Sequence, residues 1–140
     1  ELASLRSYFE LQRNRKETNF IAELEIGGEL GGFKIAPLLL IPIVENAFKY
    51  ASNHDQAENI VRVKISGNRE QLRFISYNTS DTIAEKEFQH NGGIGMANIR
   101  KRLELLYPDS FNLEVEDSDN DYSVHLSLSP GGVILPATQR

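Results

Sequence analysis

The chain has 140 residues, 15 basic and 20 acidic side chains, a formal net charge of -5 and no cysteine. This length is typical of one domain that holds its own core, and the lack of cysteine excludes thiol nucleophiles, thiolate zinc sites and disulfides. The acidic balance argues against a nucleic-acid partner, because sequence-independent binding to phosphates depends on Lys and Arg.

The first half of the chain predicts a helix, a strand and a second helix. Residues 1 to 17 space their apolar positions by three and four, as an amphipathic helix does. Phe20–Ile26 alternates apolar and polar residues, the period of a half-buried strand. Residues 36 to 50 return to helical spacing, and we expect the regular helix to begin at Pro42, because proline is favourable at a first helical position. We also expect the chain to be a piece of a longer protein, since it opens without a Met and in the middle of a helical pattern.

The second half predicts two hairpins separated by a helix. Residues 60 to 66 and 72 to 78 are strands joined by a polar turn, and residues 94 to 107 form a helix that Pro108 ends. Residues 79 to 93 have no period and predict a long loop, which in compact domains is more often functional than decorative. A second hairpin at 111 to 117 and 122 to 128 and a loose tail at 130 to 140 complete the chain. Three helices and about five strands in this order indicate a sheet with helices packed on one face.

One flank of the middle helix combines an amide, a cation and an aromatic ring. Asn46, Lys49 and Tyr50 are spaced i, i+3 and i+4 and therefore share one side. An amide oxygen suits Mg²⁺, which takes few protein ligands plus substrate phosphates, and a lysine can meet a phosphate as a point charge. The alternative is a helix whose polar edge simply faces solvent, and spacing alone leaves both open.

The stretch NGGIGMANIRKR, residues 91 to 102, leads glycines straight into a helix. Gly92, Gly93 and Gly95 let backbone N–H groups approach a ligand closely, and a helix N-terminus carries positive partial charge. The stretch lacks the GKS or GKT end of a Walker loop and the third glycine of a dinucleotide fingerprint. It is a phosphate cradle in principle, and the alternative is a flexible hinge before a helix.

Taken together, these stretches resemble the ATP-binding domain of sensor histidine kinases. IPIVENAFKYA resembles the asparagine box and GGIGMANIRKRLELLYP the second glycine box of that domain. The likeness is closest to the subgroup that partners LytTR-type response regulators, whose phrases resemble L-x-P-x-V-E-N-A and G-x-G-x-x-N-x-x-x-R-L. LRSYFELQRNR is similar to the linker helix of that subgroup.

The resemblance implies a Bergerat-type α+β fold: a two-layer α/β sandwich with a mixed, mostly antiparallel sheet and three helices on one face. Residues 1 to 17 would be a linker helix continuing from a dimerisation and phosphoacceptor region. Residues 18 to 129 would be the ATP-binding domain, and residues 130 to 140 its loose tail.

The same resemblance assigns roles to individual residues. Asn46 matches the asparagine that binds Mg²⁺ bridging the ATP phosphates, and Glu45 beside it is the candidate catalytic residue. By the same resemblance, Lys49 matches a lysine that faces the phosphates, and Tyr50 matches a position beside the adenine. Gly93 and Gly95 match the glycines that close the nucleotide lid. Asn98 and Arg102 match later polar positions of the second glycine box.

Two departures from the family pattern carry consequences. The family places an Asp of a D-x-G-x-G box after the second strand of the first hairpin, where it accepts from the adenine amino group, and Asn78 stands there instead. A neutral hydrogen bond contributes about 1 kcal/mol against about 1.5 to 3 for a charged one, so we expect adenine affinity to fall about tenfold.

The phosphoacceptor histidine belongs to a helical hairpin upstream of the linker helix, and none of the three histidines present has that context: His54, His90 and His125.

The leading hypothesis is therefore a catalytic domain that passes the γ-phosphoryl group of ATP to a histidine upstream of these residues. Its expected partners are that upstream hairpin and a LytTR-type response regulator, within a membrane-anchored homodimer whose catalytic domain is cytoplasmic. One alternative is a nucleotide-insensitive docking module with a degenerate adenine box. A less favoured one is an ATP hydrolase of the same fold, because such enzymes place a water-activating Glu one turn before the asparagine, where Pro42 stands.

Overall fold

The computed structural model describes residues 2–15, 20–28, 39–52, 59–68, 70–80 and 94–129. These ranges contain three helices and five strands. The helices are α1 (Leu2–Arg15), α2 (Leu40–Tyr50) and α3 (Ile94–Leu106), and the strands are β1 (Phe20–Ile26), β2 (Asn59–Gly67), β3 (Leu72–Thr79), β4 (Phe111–Asp117) and β5 (Asp121–Leu128). Among these helices, none has the length and apolar character needed to cross a membrane.

The five strands form one mixed sheet in the order β1-β2-β3-β5-β4. β1 runs parallel to β2, and every other neighbouring pair is antiparallel. A parallel pair needs a crossover connection, and α2 lies in the chain between β1 and β2. The predicted fold class, an α+β sandwich with a mostly antiparallel sheet, is confirmed.

One face of the sheet carries the core. The pairing register aligns Val61 with Asn78 and Phe74 with Leu126 on this face, and alternate residues of every strand point to it. All three helices contact the sheet, α1 at β1, α2 at β2 and β3, and α3 at β4. The apolar residues of both layers form a single buried cluster that includes Val44, Leu103 and Leu128.

Helix α1 belongs to the same core as the sheet. Leu5 and Phe9 are both 0% exposed. The Phe9 ring meets Phe48 of α2 edge to face at 5.2 Å between centroids, and Phe20 of β1 stacks on Phe48 at 6.2 Å. The helix assigned to a linker is thus anchored by three aromatic rings to the elements that follow it.

The strands and the last helix lie where the sequence predicts them, but the start of α2 differs. The expectation that the regular helix begins at Pro42 is wrong: α2 begins at Leu40, and Pro42 is its third residue. The first four N–H groups of a helix have no intrahelical partner, so a proline there removes no hydrogen bond. The predictions for residues 81 to 93 and for the tail at 130 to 140 lie outside the described residues.

Candidate functional site

The C-terminal end of α2 is fastened to the adjacent ends of β2 and β3. The Ser52 N–H donates to the Thr79 carbonyl at 2.8 Å. Ser52 Oγ lies 2.7 Å from both Asn59 Oδ1 and Thr79 Oγ1, and the Ile60 N–H donates to Thr79 Oγ1 at 2.8 Å. These bonds fix the last turn of α2 over one end of the sheet.

The outward side of α2 carries the residues expected to form the site. Asn46 and Tyr50 are half-buried along one edge of the helix, beside its buried stripe of Ile43, Val44, Ala47 and Phe48. Lys49 is exposed, and its Nζ lies 5.2 Å from the centroid of the Tyr50 ring. The amide, the cation and the ring therefore lie on one side of the helix, outside the core.

Glu45 occupies a different part of the helix surface. It is exposed, and successive residues of an α-helix are rotated by about 100°, so its side chain leaves the helix well away from the Asn46 edge. Within the described residues it forms neither a hydrogen bond nor an ion pair with the other candidate residues.

Asn78 lies on the helix-facing side of β3, close to its C-terminal end. Its side chain is buried, 1% exposed, and its Nδ2 donates to the Thr79 carbonyl at 3.0 Å. With the amide nitrogen engaged in this way, Oδ1 remains as the acceptor of the group. The family resemblance implies that Asn78 accepts a hydrogen bond from adenine, and this role stays a prediction.

Tyr122 joins the residues of α2 to those of β3. It lies directly opposite Asn78 in the β3–β5 register and is half-buried. Burial above all, and after it the Asp117 carboxylate and the Tyr50 phenol, together raise the pKa of Tyr122 to about 12. Ser52, two residues after Tyr50, bonds to Thr79, the neighbour of Asn78, so Tyr50 and Asn78 lie at the same end of the sheet although they are 28 positions apart in the chain.

Sequence reasoning did not single out Tyr122. The alternation of β5 could have placed it on the core side of its strand, at the end nearest the turn. Its position opposite Asn78 depends on the register between β5 and β3, which the alternation of one strand does not determine.

Ser80 follows Asn78 on the same face of the sheet. Its N–H donates to the Asn120 carbonyl at 2.8 Å, and the residue is 3% exposed. Its Oγ is buried, and within the described ranges no group lies at hydrogen-bonding distance from it. A buried hydroxyl of this kind is uncommon, because most buried polar groups are paired.

Helix α3 has a polar flank as well. Arg100 Nη2 donates to the Leu113 carbonyl at 3.2 Å, so this flank of α3 lies over β4, and helical geometry turns Asn98 and Arg102 to the opposite flank. α3 packs against α2, and that opposite flank is the one directed towards it.

The direction of α3 places its N-terminus near the candidate residues. The helix ends at the far end of the sheet, where the Ser129 N–H donates to the Ser110 carbonyl, and β4 then runs back. The first turn of α3 therefore lies at the end of the sheet that holds Tyr50 and Asn78. Gly95 is the second residue of this helix, whereas Gly93 lies outside the described residues.

Asn46 is the one candidate metal ligand among these side chains. The described ranges hold no group of three or more His, Cys, Asp or Glu that could bind a metal ion. A single amide oxygen fits Mg²⁺ carried by a nucleotide, since that ion keeps several waters and takes the phosphates as its other ligands. The donor set therefore fits an ion that arrives with its substrate.

Comparison with known proteins begins with sequence. No family model matches the chain. The chain is 24% identical over 123 residues to the sensor histidine kinase BtsS of Escherichia coli strain K12, a match that covers 88% of this chain and 22% of the relative. The chain thus spans about a fifth of the length of the curated relatives it matches.

Solved structures give the clearer likeness. The histidine kinase domain of the blue-light activated histidine kinase of Erythrobacter litoralis superposes with a TM-score of 0.65 at 18% identity, covering 92% of this chain and 64% of that one. A nucleotide-free catalytic domain of histidine kinase ThkA superposes with a TM-score of 0.59 at 13% identity, covering 91% of this chain and 90% of that domain. The fold is that of histidine kinase catalytic domains.

Proposed function

We propose that the chain is the ATP-binding catalytic domain of a two-component sensor histidine kinase. The observation that carries this proposal is the gathering of Tyr50, Asn78 and the first turn of α3 at one end of the sheet, in a fold shared with histidine kinase catalytic domains. The last turn of α2 and the first turn of α3 both lie at this end of the sheet.

Helix α2 would hold the phosphates and the metal. Asn46 coordinates the Mg²⁺ that ATP brings, and exposed Lys49 meets a phosphate as a point charge. Tyr50 lies against the adenine, and its ring already has the Lys49 ammonium nearby. Glu45 remains the candidate catalytic residue, and its exposed position leaves it accessible to a group delivered from outside the domain.

Helix α3 would hold the other side of the triphosphate. Gly93 and Gly95 let the backbone approach the phosphates at a helix N-terminus, where the N–H groups favour anions. Asn98 and Arg102 supply side-chain donors from the flank directed towards α2. Together they meet the phosphates from the side opposite Asn46.

The adenine would be recognised by Asn78. Its Nδ2 is engaged by the Thr79 carbonyl, so Oδ1 is the atom presented to the adenine amino group. The bond is neutral, and we expect an affinity about tenfold below that of a charged acceptor. The burial of Asn78 supports a retained base pocket over a docking module that has lost it.

The chain's residues would bind and orient ATP, and the γ-phosphoryl group would pass to a histidine in an upstream dimerisation hairpin. Phosphoryl transfer depends mainly on positioning and charge stabilisation, which suits a site built of amides, cations and backbone N–H groups. The further partner is a LytTR-type response regulator. The whole protein is a membrane-anchored homodimer with this domain in the cytoplasm.

The decisive experiment is calorimetric titration of this chain with ATP, with Mg²⁺ and with a chelator in its place. We expect heat of binding that depends on magnesium. No heat up to millimolar nucleotide would contradict the proposal and favour the docking module. Addition of the upstream hairpin should then yield acid-labile phosphohistidine, whereas release of free phosphate alone would favour the ATP hydrolase.

A further inference from the structure

The buried hydroxyl of Ser80 has no role in holding the described structure together. Its backbone is paired, with the N–H donating to the Asn120 carbonyl at 2.8 Å, so the strand end does not need the side chain. Its Oγ is enclosed and has no hydrogen-bond partner in the ranges the structure describes. Such a group destabilises the protein unless something else satisfies it.

Ser80 stands next to Asn78 on the face that the proposed nucleotide would occupy. β3 ends at Thr79 and Ser80 follows it directly, and both Asn78 and Ser80 are buried. Alternate residues of an extended chain share a face and lie about 7 Å apart, so the two side chains are neighbours. The polar side chains at this end of β3 are already engaged with one another: Ser52 Oγ lies 2.7 Å from both Asn59 Oδ1 and Thr79 Oγ1. Ser80 is thus the hydroxyl of this cluster that is left to bind a ligand.

The edge of adenine has two adjacent hydrogen-bonding groups, the exocyclic amino group that donates and the ring nitrogen N1 that accepts. Asn78 presents an acceptor, because its Nδ2 is held by the Thr79 carbonyl. A serine hydroxyl can supply the missing donor. The pair Asn78 and Ser80 therefore matches the donor and acceptor pattern of adenine.

We propose that Ser80 Oγ donates a hydrogen bond to N1 of the adenine, directly or through one bound water, and so helps to select the base. This inference rests on the proposed function, since it requires ATP to bind at this end of the sheet. Ser80 would recognise the ring nitrogen N1, whereas Asn78 would recognise the amino group.

The test compares ATP with 1-deaza-ATP, in which N1 is replaced by C–H, by calorimetry on the wild-type chain and on Ser80→Ala. We expect the wild type to bind ATP about five- to tenfold more tightly than the analogue, the effect of one neutral hydrogen bond. Ser80→Ala should lose this preference, because the substitution lowers the affinity for ATP and leaves the affinity for 1-deaza-ATP unchanged. Ser76→Ala is the matched control, because Ser76 is a buried serine of β3 on the face that carries Asn78, four residues before Ser80, and it should keep the preference.

Unfolding without nucleotide gives a second, independent readout. Because the Ser80 hydroxyl is buried and unpaired within the described residues, Ser80→Ala should raise the denaturant midpoint while it weakens ATP binding. An unchanged preference in Ser80→Ala, or a lowered midpoint, would overturn this inference and leave the proposed function standing. No ATP binding by the wild type would overturn both.

Discussion

Phe9 of α1 packs against Phe48 of α2 with 5.2 Å between ring centroids and an interplanar angle of 67°. Phe9 is fully buried, so Phe9→Ala removes a large apolar group and leaves a cavity between α1 and the domain. We expect the free energy of unfolding to fall by about 3 to 5 kcal/mol. Urea denaturation of the chain measures this loss.

Leu11→Ala is the matched control on the same helix. Leu11 is 57% exposed, and its truncation should change stability by no more than about 0.5 kcal/mol. If the two variants were equally stable, α1 would be an appendage and not a part of the core.

A glycine after β1 is required by a close backbone approach. Gly28 has a φ of 84°, and a Cβ built on it would lie 2.9 Å from Gly67 N and closer still to the Gly67 carbonyl oxygen. Gly28→Ala should cost at least about 2 kcal/mol, because it adds a backbone clash to the strain of a left-handed conformation.

Gly27 provides the control for this change. A Cβ there would meet nothing within 4 Å, so Gly27→Ala should be neutral or stabilise by up to about 1 kcal/mol. Thermal unfolding of the two variants side by side checks the pair. Equal melting temperatures would contradict the backbone contact between Gly28 and Gly67.

The sequence predicted the sheet well because most of its strand residues alternate between apolar and polar. Phe20, Ala22, Leu24 and Ile26 occupy every second position of β1 and share one face in the structure, and Ile21 is the one apolar residue of this strand on the other face. The start of α2 was harder to predict, since a proline is compatible with any position of the first turn and Pro42 marks no boundary by itself.

The candidate site was predictable only in its local parts. The side shared by Asn46 and Tyr50 follows from helical spacing within one segment. The position of Tyr122 opposite Asn78 follows from pairing between distant strands, and the unpaired hydroxyl of Ser80 follows from the packing around it. Neither is a property of a short stretch of sequence.

Alkaline pH should destabilise the chain through Tyr122. Its pKa is raised from 10.0 to about 12, first by burial and then by Asp117 and Tyr50, so folding favours the neutral phenol. This stabilisation is fully present below pH 10 and is lost as the pH rises to about 12. The loss should be about 1 to 2 kcal/mol, because partial exposure of the side chain reduces the roughly 1.4 kcal/mol that each pKa unit represents.

Tyr122→Phe should flatten the fall in stability between pH 10 and 12, measured by urea denaturation across that range. Part of the fall should remain, because the pKa of Tyr77 is also raised, by burial and by the Asp121 carboxylate to which its hydroxyl donates at 3.3 Å. A variant with the wild-type pH dependence would show that Tyr122 is not buried in the way the structure indicates.

The proposed metal ligand can be tested apart from the fold. Asn46 is half-buried on the outer edge of α2, so Asn46→Ala should unfold at nearly the wild-type denaturant concentration. Its affinity for ATP in Mg²⁺ should fall by at least about tenfold, towards the value measured with a chelator, since the ion loses its protein ligand. Asn14→Ala makes the same substitution at an exposed site on α1 and should leave both titrations unchanged. If Asn46→Ala kept the magnesium dependence of the wild type, Asn46 would not be the metal ligand. Any ATP binding that persisted in this variant would still be attributed to Asn78 and to Asn98 and Arg102 of α3.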